Sequence, residues 1–537
     1  MRQVSIRRFG IRKVQQGWFH LNLKNFMSGD EEKKFWVPCL FFLIVTVYLT
    51  LRQTLPLGVG ISPDSTAFIR IAREILANDF QFFEGELGVQ YGPGYPLILA
   101  AVAFFTHTSP LNAAVIVNSV SLVLLVLIFM LDTRRIDGIS PWLSGLLITF
   151  SLSLMWVFSM AWSEPVFILL TYAIFRRAVL PEQGWQSALR LGLLTGFAFL
   201  IRYLGLALIP VVFLQLFLFS SPGAGARRRN ALVFLGSVSL VAGSYLLRNF
   251  LVSGTLFGAR APSGTSLFEN LKYLNQTIFD WFVPDVPAGS IARWVLAAAI
   301  LAFIWFTRKS IYARLRQTVN HTGIQPVFVV VFSALLVISA TRTAFDGINS
   351  RLLAPIYPAL AFTILLFVAP GSQTPRGKRL ALIARWLLVL VIIAQPLRII
   401  IKDTHRRGRE GAGGYNRPEW RDSHLLSHCL GEISLEGEIV FSNAPPALYI
   451  LKGITAYSLP GRIFYNSDKP TGVTPENIFE KYPAMDGALL IYFDLREQPW
   501  EFTPRELETT CMVQVVEKCQ DGTIYRLGRL KGELEQE

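Results

Sequence analysis

The chain has 537 residues, of which 52% are hydrophobic and only 16% charged, and its mean hydropathy is +0.42. Those values, with forty Phe and twelve Trp, exceed what a soluble globular chain carries and suit lipid contact, which excludes an ordinary water-soluble domain. The net charge of +14 reads as a topology signal and a means of meeting anionic membrane lipids, and no nucleic-acid partner is expected.

In chain order, residues 1–34 form a basic tail with Arg7, Arg8, Arg12, Lys13, Lys33 and Lys34. A spanning helix needs roughly 20 mostly apolar residues. Such runs begin near Phe35, Leu111, Pro141, Pro165, Leu191, Leu206, Ala231, Ile291, Pro326, Leu352 and Leu380, which predicts about eleven spans. Around Arg202, one bent helix and two shorter helices read alike. The clusters Arg134 with Arg135, Arg176 with Arg177, Arg227 to Arg229, Arg308 with Lys309, and Lys378 with Arg379 fall on alternate connections. Short cytoplasmic loops collect Lys and Arg, so the tail is placed in the cytoplasm and everything after about Lys402 outside. No small-residue cleavage site follows the first run, so no cleavable signal peptide is expected. The predicted fold class is mainly α: a polytopic membrane bundle over residues 35–401, with an outer loop over 52–110, then a small extracytoplasmic α/β domain over 402–537.

The polar residues that fit no packing role collect on the outer side. SPDSTAFIRIAREIL puts Phe68, Ala72, Ile75 and Leu76 at helical spacing, which predicts a short helix along the outer surface with Asp64 at its start. There Asp64 or Ser62 caps the helix, or Asp64 is a carboxylate able to take a proton from an acceptor hydroxyl. The segment YGPGYPLILAAVAFF is too short to cross comfortably, and its Tyr91 and Tyr95 are interfacial aromatics or groove residues. In MAWSEPVFILL, Glu164 is a solvated helix start beside Ser163 and Pro165, or a second carboxylate facing Asp64. Arg202, Arg248 and Arg351 each read alone as cations snorkelling to lipid phosphates. Together they read as a phosphate site, because guanidinium matches phosphate oxygens with two parallel hydrogen bonds. No Asp, Glu, Lys or His falls in the middle of a predicted span, so no chain of proton or ion sites crosses the bilayer and chemistry belongs at the outer edge.

Beyond residue 401 the stretch KDTHRRGREGAGGYNRPEW reads as a linker or surface loop. GEIVFSNAP, GALLIYFD and MVQVVEKC read as strands, and Asp521-Gly522 as a turn between two strands. Cys429, Cys511 and Cys519 allow one disulfide in an oxidising compartment, with the pairing open, and no metal-ligand spacing appears.

At these residues the chain resembles the GT-C integral-membrane glycosyltransferases, specifically the prokaryotic branch related to protein O-mannosyltransferases and to the aminoarabinose transferase acting on lipid A. The resemblance runs through Asp64, YGPGYPLIL, SEPVFILL, GLLTGFAFLIRYLGLALIP, LLRNFLVSGTLFG and SRLLAPIYPAL, in the family's order over most of residues 35–370. It implies transfer of a sugar from a polyprenyl-phosphate carrier to a glycan, lipid or protein acceptor on the extracytoplasmic side of the plasma membrane, with inversion. Asp64 then matches the first-loop acid that activates or orients the acceptor hydroxyl, and Glu164 a second outer acid that is usually Asp. Arg202 and Arg351 fall where basic residues meet the carrier phosphate. Trp156, Trp162, Tyr203 and Tyr357 edge an outer cavity that supplies sugar stacking, or belong to the aromatic belt. Two departures stand out. Some relatives carry a lysine where this chain has Gln90 and Tyr91, and many carry a second acid where Ser65 follows Asp64. No cofactor besides the lipid-linked sugar donor is expected to be essential, with a divalent metal left open. The competing readings are a transporter or flippase of lipid-linked glycans and a noncatalytic scaffold; internal repeats and polar midplane sites, which mark transporters, are not found.

Overall fold

The computed structural model describes residues 30–80, 85–136, 138–180, 184–219, 223–282, 324–368, 396–465, 467 and 469–530. The runs expected near Ile291 and Leu380, the tail through Lys13, Arg308, Lys309, Lys378 and Arg379 lie outside these residues.

The first helix, α1 (Asp30–Thr54), is apolar on all sides: Phe35, Cys39 and Phe42 are buried, whereas Phe41, Ile44 and Tyr48 face outward. A helix without a polar face is stable only inside a large core or in lipid. Chain order continues through α2 (Pro63–Leu76), α3 (Glu86–Gln90), α4 (Gly94–Thr106), α5 (Pro110–Thr133), α6 (Pro141–Thr149), α7 (Leu152–Phe158) and α8 (Glu164–Ala178). It then runs through α9 (Trp185–Ile201), α10 (Leu208–Phe219), α11 (Ala224–Val238), α12 (Ser244–Ser253) and α13 (Leu267–Asp280). The last helices of the bundle are α14 (Ile324–Arg342), α15 (Ser350–Leu353), α16 (Tyr357–Val368) and α17 (residues 396–410). Among the described residues four helical stretches are long and apolar enough to cross a membrane: Glu32–Thr54, Pro110–Thr133, Ala224–Ser253 and Ile324–Arg342. The pair α6–α7 is apolar and long enough only when taken together, as a broken span or a re-entrant loop, and is bent by 52° where Phe150 leaves helical geometry and Ser151 caps the next helix. Near Arg202 the structure has two helices: α9 ends there, Arg202 is extended (φ −150°, ψ 132°), and a 3-10 turn at Tyr203–Ala207 leads into α10.

The centre of the bundle is α5, which buries Leu122, Leu125, Phe129 and Met130 against α1, α4 and α8. Its buried Asn118 donates to the carbonyls of Phe158 (3.1 Å) and Met160 (2.7 Å), satisfying the irregular backbone between α7 and α8 that ends at Glu164.

Residues 418–529 include a five-stranded sheet in the order β2-β1-β3-β5-β4, with β1 (Val440–Ser442), β2 (Tyr457–Ser458), β3 (Leu489–Phe493), β4 (Cys511–Lys518) and β5 (Gly522–Arg529). β1 lies parallel to β2 and β3, while β5 is antiparallel to β3 and to β4. Side chains alternate along β3: Leu489, Ile491 and Phe493 enter one apolar cluster, Leu490 and Tyr492 another, so the strand is covered on both faces. Cys429 and Cys519 form a disulfide, and Cys511 is a buried thiol.

The glycine-rich stretch after α17 is not a loose linker, as its composition suggested. Ile61 N–H donates to Gly413 O (3.1 Å), Tyr415 N–H donates to Ile61 O (2.8 Å), and Asn416 donates to the carbonyls of Leu57, Gly58 and Val59. Gly414 has φ +59°, and a Cβ there would run into the Ile61 carbonyl, so only glycine fits this splice. The segment leading into α2 is thereby fixed by backbone hydrogen bonds to residues about 350 positions downstream.

Candidate active site

Helix α2 starts with a reciprocal capping box: the Ser62 hydroxyl accepts from Ser65 N–H (3.3 Å), and the Ser65 hydroxyl accepts from Ser62 N–H (3.0 Å). Asp64 is therefore released from the capping role that its position suggested. Its Oδ1 accepts from the Tyr91 hydroxyl (3.1 Å), and its Oδ2 forms an ion pair with Arg351 Nη2. Burial pushes the Asp64 carboxyl up, but the charge and hydrogen bond of Arg351, with the Tyr91 hydrogen bond, hold it below the usual carboxylate range.

Glu164 opens α8 and is completely buried, which overturns its reading as a solvated helix start. Its Oε1 accepts from Arg351 Nε at 2.7 Å and pairs with Arg202 Nη1. Arg351 thus grips both acids, and its guanidinium lies 4.2 Å from the Trp162 ring centre. Asn349 fixes this arginine by accepting the backbone N–H groups of Arg351 (2.9 Å) and Leu352 (3.2 Å). Arg202 leaves the end of α9, so its side chain turns back to Glu164 and to the Ser163 hydroxyl (3.3 Å). Two carboxylates and two guanidinium groups from four separate elements form one chain of charge, Asp64–Arg351–Glu164–Arg202. Glu164 Oε2 and Arg202 Nε are buried in it without hydrogen-bond partners among the described residues.

The remaining predicted residues divide. Tyr91 meets Asp64 directly and packs its ring on Phe68 at 5.4 Å. Tyr95 is fully buried beside Phe68 and exposes no face for a ligand, so it supports the site and does not line a groove. Trp162, 4% exposed, holds its indole N–H on the Ser62 hydroxyl (2.7 Å) and its ring under Arg351, a structural seat rather than a belt position. Tyr357 is buried and donates to Leu147 O (2.8 Å), away from any groove. Tyr203 donates to Val89 O (2.6 Å) and accepts from Asn249 (3.1 Å). Arg248 does not snorkel: it donates to Gly88 O (3.1 Å) and Asn249 Oδ1 (2.9 Å), bracing the loop that carries Tyr91. Sequence reasoning passed over Asn249, Tyr245 and Asn349; an Asn inside the apolar run of α12 was the available signal.

The class defined by this fold is a polytopic helical bundle with acids and arginines gathered at the helix ends on one side. No family model and no curated protein matches the chain at the sequence level. Solved structures do. ArnT from Cupriavidus metallidurans in the apo state superposes with a TM-score of 0.56 at 12% identity, covering 91% of this chain and 97% of that one. The same protein bound to undecaprenyl phosphate gives 0.56 at 11% identity, over 91% and 98%. The arabinofuranosyltransferase AftD from Mycobacteria gives 0.51 at 13% identity, covering 92% of this chain but only 40% of AftD. The chain has the GT-C fold of these membrane glycosyltransferases.

Proposed function

We propose that this chain is a membrane glycosyltransferase that moves a sugar from a polyprenyl-phosphate carrier to an acceptor hydroxyl, with inversion, on the extracytoplasmic side of the plasma membrane. Its amino terminus is cytoplasmic and its carboxy-terminal sheet extracytoplasmic. The observation that carries this reading is the double grip of Arg351 on Asp64 and Glu164. Support also comes from the ArnT structure that holds undecaprenyl phosphate on a similar fold.

Without donor, Arg351 neutralises Asp64 and keeps it a weak base. A phosphate offers the guanidinium the same forked geometry as a carboxylate, so an arriving carrier phosphate competes for Arg351 and Arg202. As Arg351 turns to the phosphate, the pairing that depressed the Asp64 carboxyl weakens and its proton affinity rises. Asp64 then takes the proton of the acceptor hydroxyl as that oxygen attacks the anomeric carbon. The carbon–oxygen bond to the phosphate breaks, the electron pair leaves with the phosphate, and the arginines balance its charge. Glu164 keeps both arginines aimed at one point; Tyr91 orients Asp64.

Asp64→Asn keeps the shape of the side chain and removes the base. It should lower transfer about 10²- to 10⁴-fold while the protein still inserts and accumulates, measured with purified protein and a lipid-linked sugar. Full transfer by this variant would remove Asp64 from the chemistry.

A further inference from the structure

A cavity of about 450 Å³ lies between the end of α17, the glycine strap and the α7–α8 connection. That volume admits one or two sugar rings. Trp156 and Trp162 form one wall, with ring centres 5.5 Å apart in an edge-to-face pair, and Arg406, Arg407 and Arg417 stand around it. Against those three arginines the lining holds two acids, Glu410 and Glu419, which leaves one net positive charge.

Arg407 is the unusual member. Its side chain is only 11% exposed, yet its single hydrogen bond among the described residues goes to the Ser159 hydroxyl, and Asp403 stands 3.8 Å off, beyond hydrogen-bond range. A guanidinium carries five N–H donors. Most of those on Arg407 are therefore left for whatever fills the cavity. Arg417 is 55% exposed, and its side chain's ion pair among the described residues is with Glu419, at 3.7 Å. The wall is also shared: Trp162 lines the cavity, carries Arg351 on its ring and donates to Ser62, two residues before Asp64.

We infer that this cavity is the acceptor subsite and that it takes an anionic sugar, with the ring against Trp156 and Trp162 and its carboxylate or phosphate on Arg407 and Arg417. The inference rests on the glycosyltransferase reading only for the word acceptor; the binding itself does not depend on it. Flat aromatic rings receive the apolar face of a pyranose, and a guanidinium fork receives either anion.

The test is saturation-transfer NMR on the full chain in lipid nanodiscs, with glucuronate, glucose 6-phosphate and glucose as probes. Glucuronate or glucose 6-phosphate should bind about tenfold more tightly than glucose, as expected for one charge-assisted hydrogen bond, and the tighter of the two identifies the anion. Arg417→Gln, at an exposed position, should reduce that preference, and Trp156→Ala should weaken all binding. Equal affinity for glucose and its anionic counterparts, an unchanged preference in Arg417→Gln, or no binding of any probe overturns the inference. Asp64→Asn should bind the probes as the parent does, so failure of the cavity and failure of the transfer reaction give different results.

Discussion

The two ends of the helical bundle handle charge differently. At the end where α1 begins, Arg134 pairs with Glu32 with 39% and 37% of the side chains exposed, and the one buried acid among the described residues there, Asp132 at 10%, stands 3.4 Å from an Arg176 that is 33% exposed. At the end where α1 finishes, Glu164 is wholly buried between Arg202 and Arg351, and Asp64 completes the chain. Exposed pairs contribute about 0–1 kcal/mol and are screened by salt. Buried ones cost several kcal/mol in desolvation, and well-packed apolar residues often replace them without loss. Stability therefore does not account for the second end. A group of charges aimed at one point, with an acceptor and a donor inside it that have no partner among the described residues, fits the chemistry on a charged substrate proposed above.

Four measurements would break or sharpen this contrast. The largest effect is expected from Glu164→Ala, which leaves two guanidinium groups facing each other in a buried site. It should cost about 3–5 kcal/mol, seen as a lowered midpoint in thermal unfolding of the purified protein, together with loss of transfer. Next, Arg351→Lys keeps the charge and loses the fork. It should raise the KM for the lipid-linked donor roughly 10- to 100-fold, while thermal stability changes less than in Glu164→Ala.

A smaller effect concerns acid. The Asp64 carboxyl is depressed, so its contribution to stability is present above the ordinary aspartate value of about 3.9 and is lost as pH falls through its lower folded value. The acid limb of unfolding assigned to Asp64, found by comparing parent and Asp64→Asn, should lie below that ordinary value. A limb above it would mean that Arg351 does not hold Asp64 in solution. The smallest effect belongs to the other end: Arg134→Gln should change stability by no more than about 1 kcal/mol, an effect that fades with added salt, and leave transfer untouched.

Much of this contrast could be read from the residues alone. Asp64, Glu164, Arg202 and Arg351 stood out because a charged group next to an apolar run has no packing role. Their joining through Arg351 did not, since 287 positions separate Asp64 from Arg351 and 187 separate Glu164 from it. Tyr95 was misread for a related reason, and the seat that Trp162 gives Arg351 was not seen. An aromatic at a helix end looks the same in sequence whether it faces lipid or fills the space beneath an arginine. The three strands GEIVFSNAP, GALLIYFD and MVQVVEKC announced themselves by β-branched and aromatic runs, and β1, β3 and β4 lie within or across them. The two-residue β2 carries too little pattern to be seen. The choice of Cys519 over Cys511 as partner of Cys429 depends on tertiary position, which spacing does not encode.

The splice between Ile61 and Gly413–Tyr415 limits how the molecule can be rearranged. Because the approach to Asp64 borrows its hydrogen bonds from beyond α17, the helical half and the sheet half are not interchangeable modules. A chimera that swaps the latter must carry the glycine strap with it, or redesign residues 57–61 to match the newcomer.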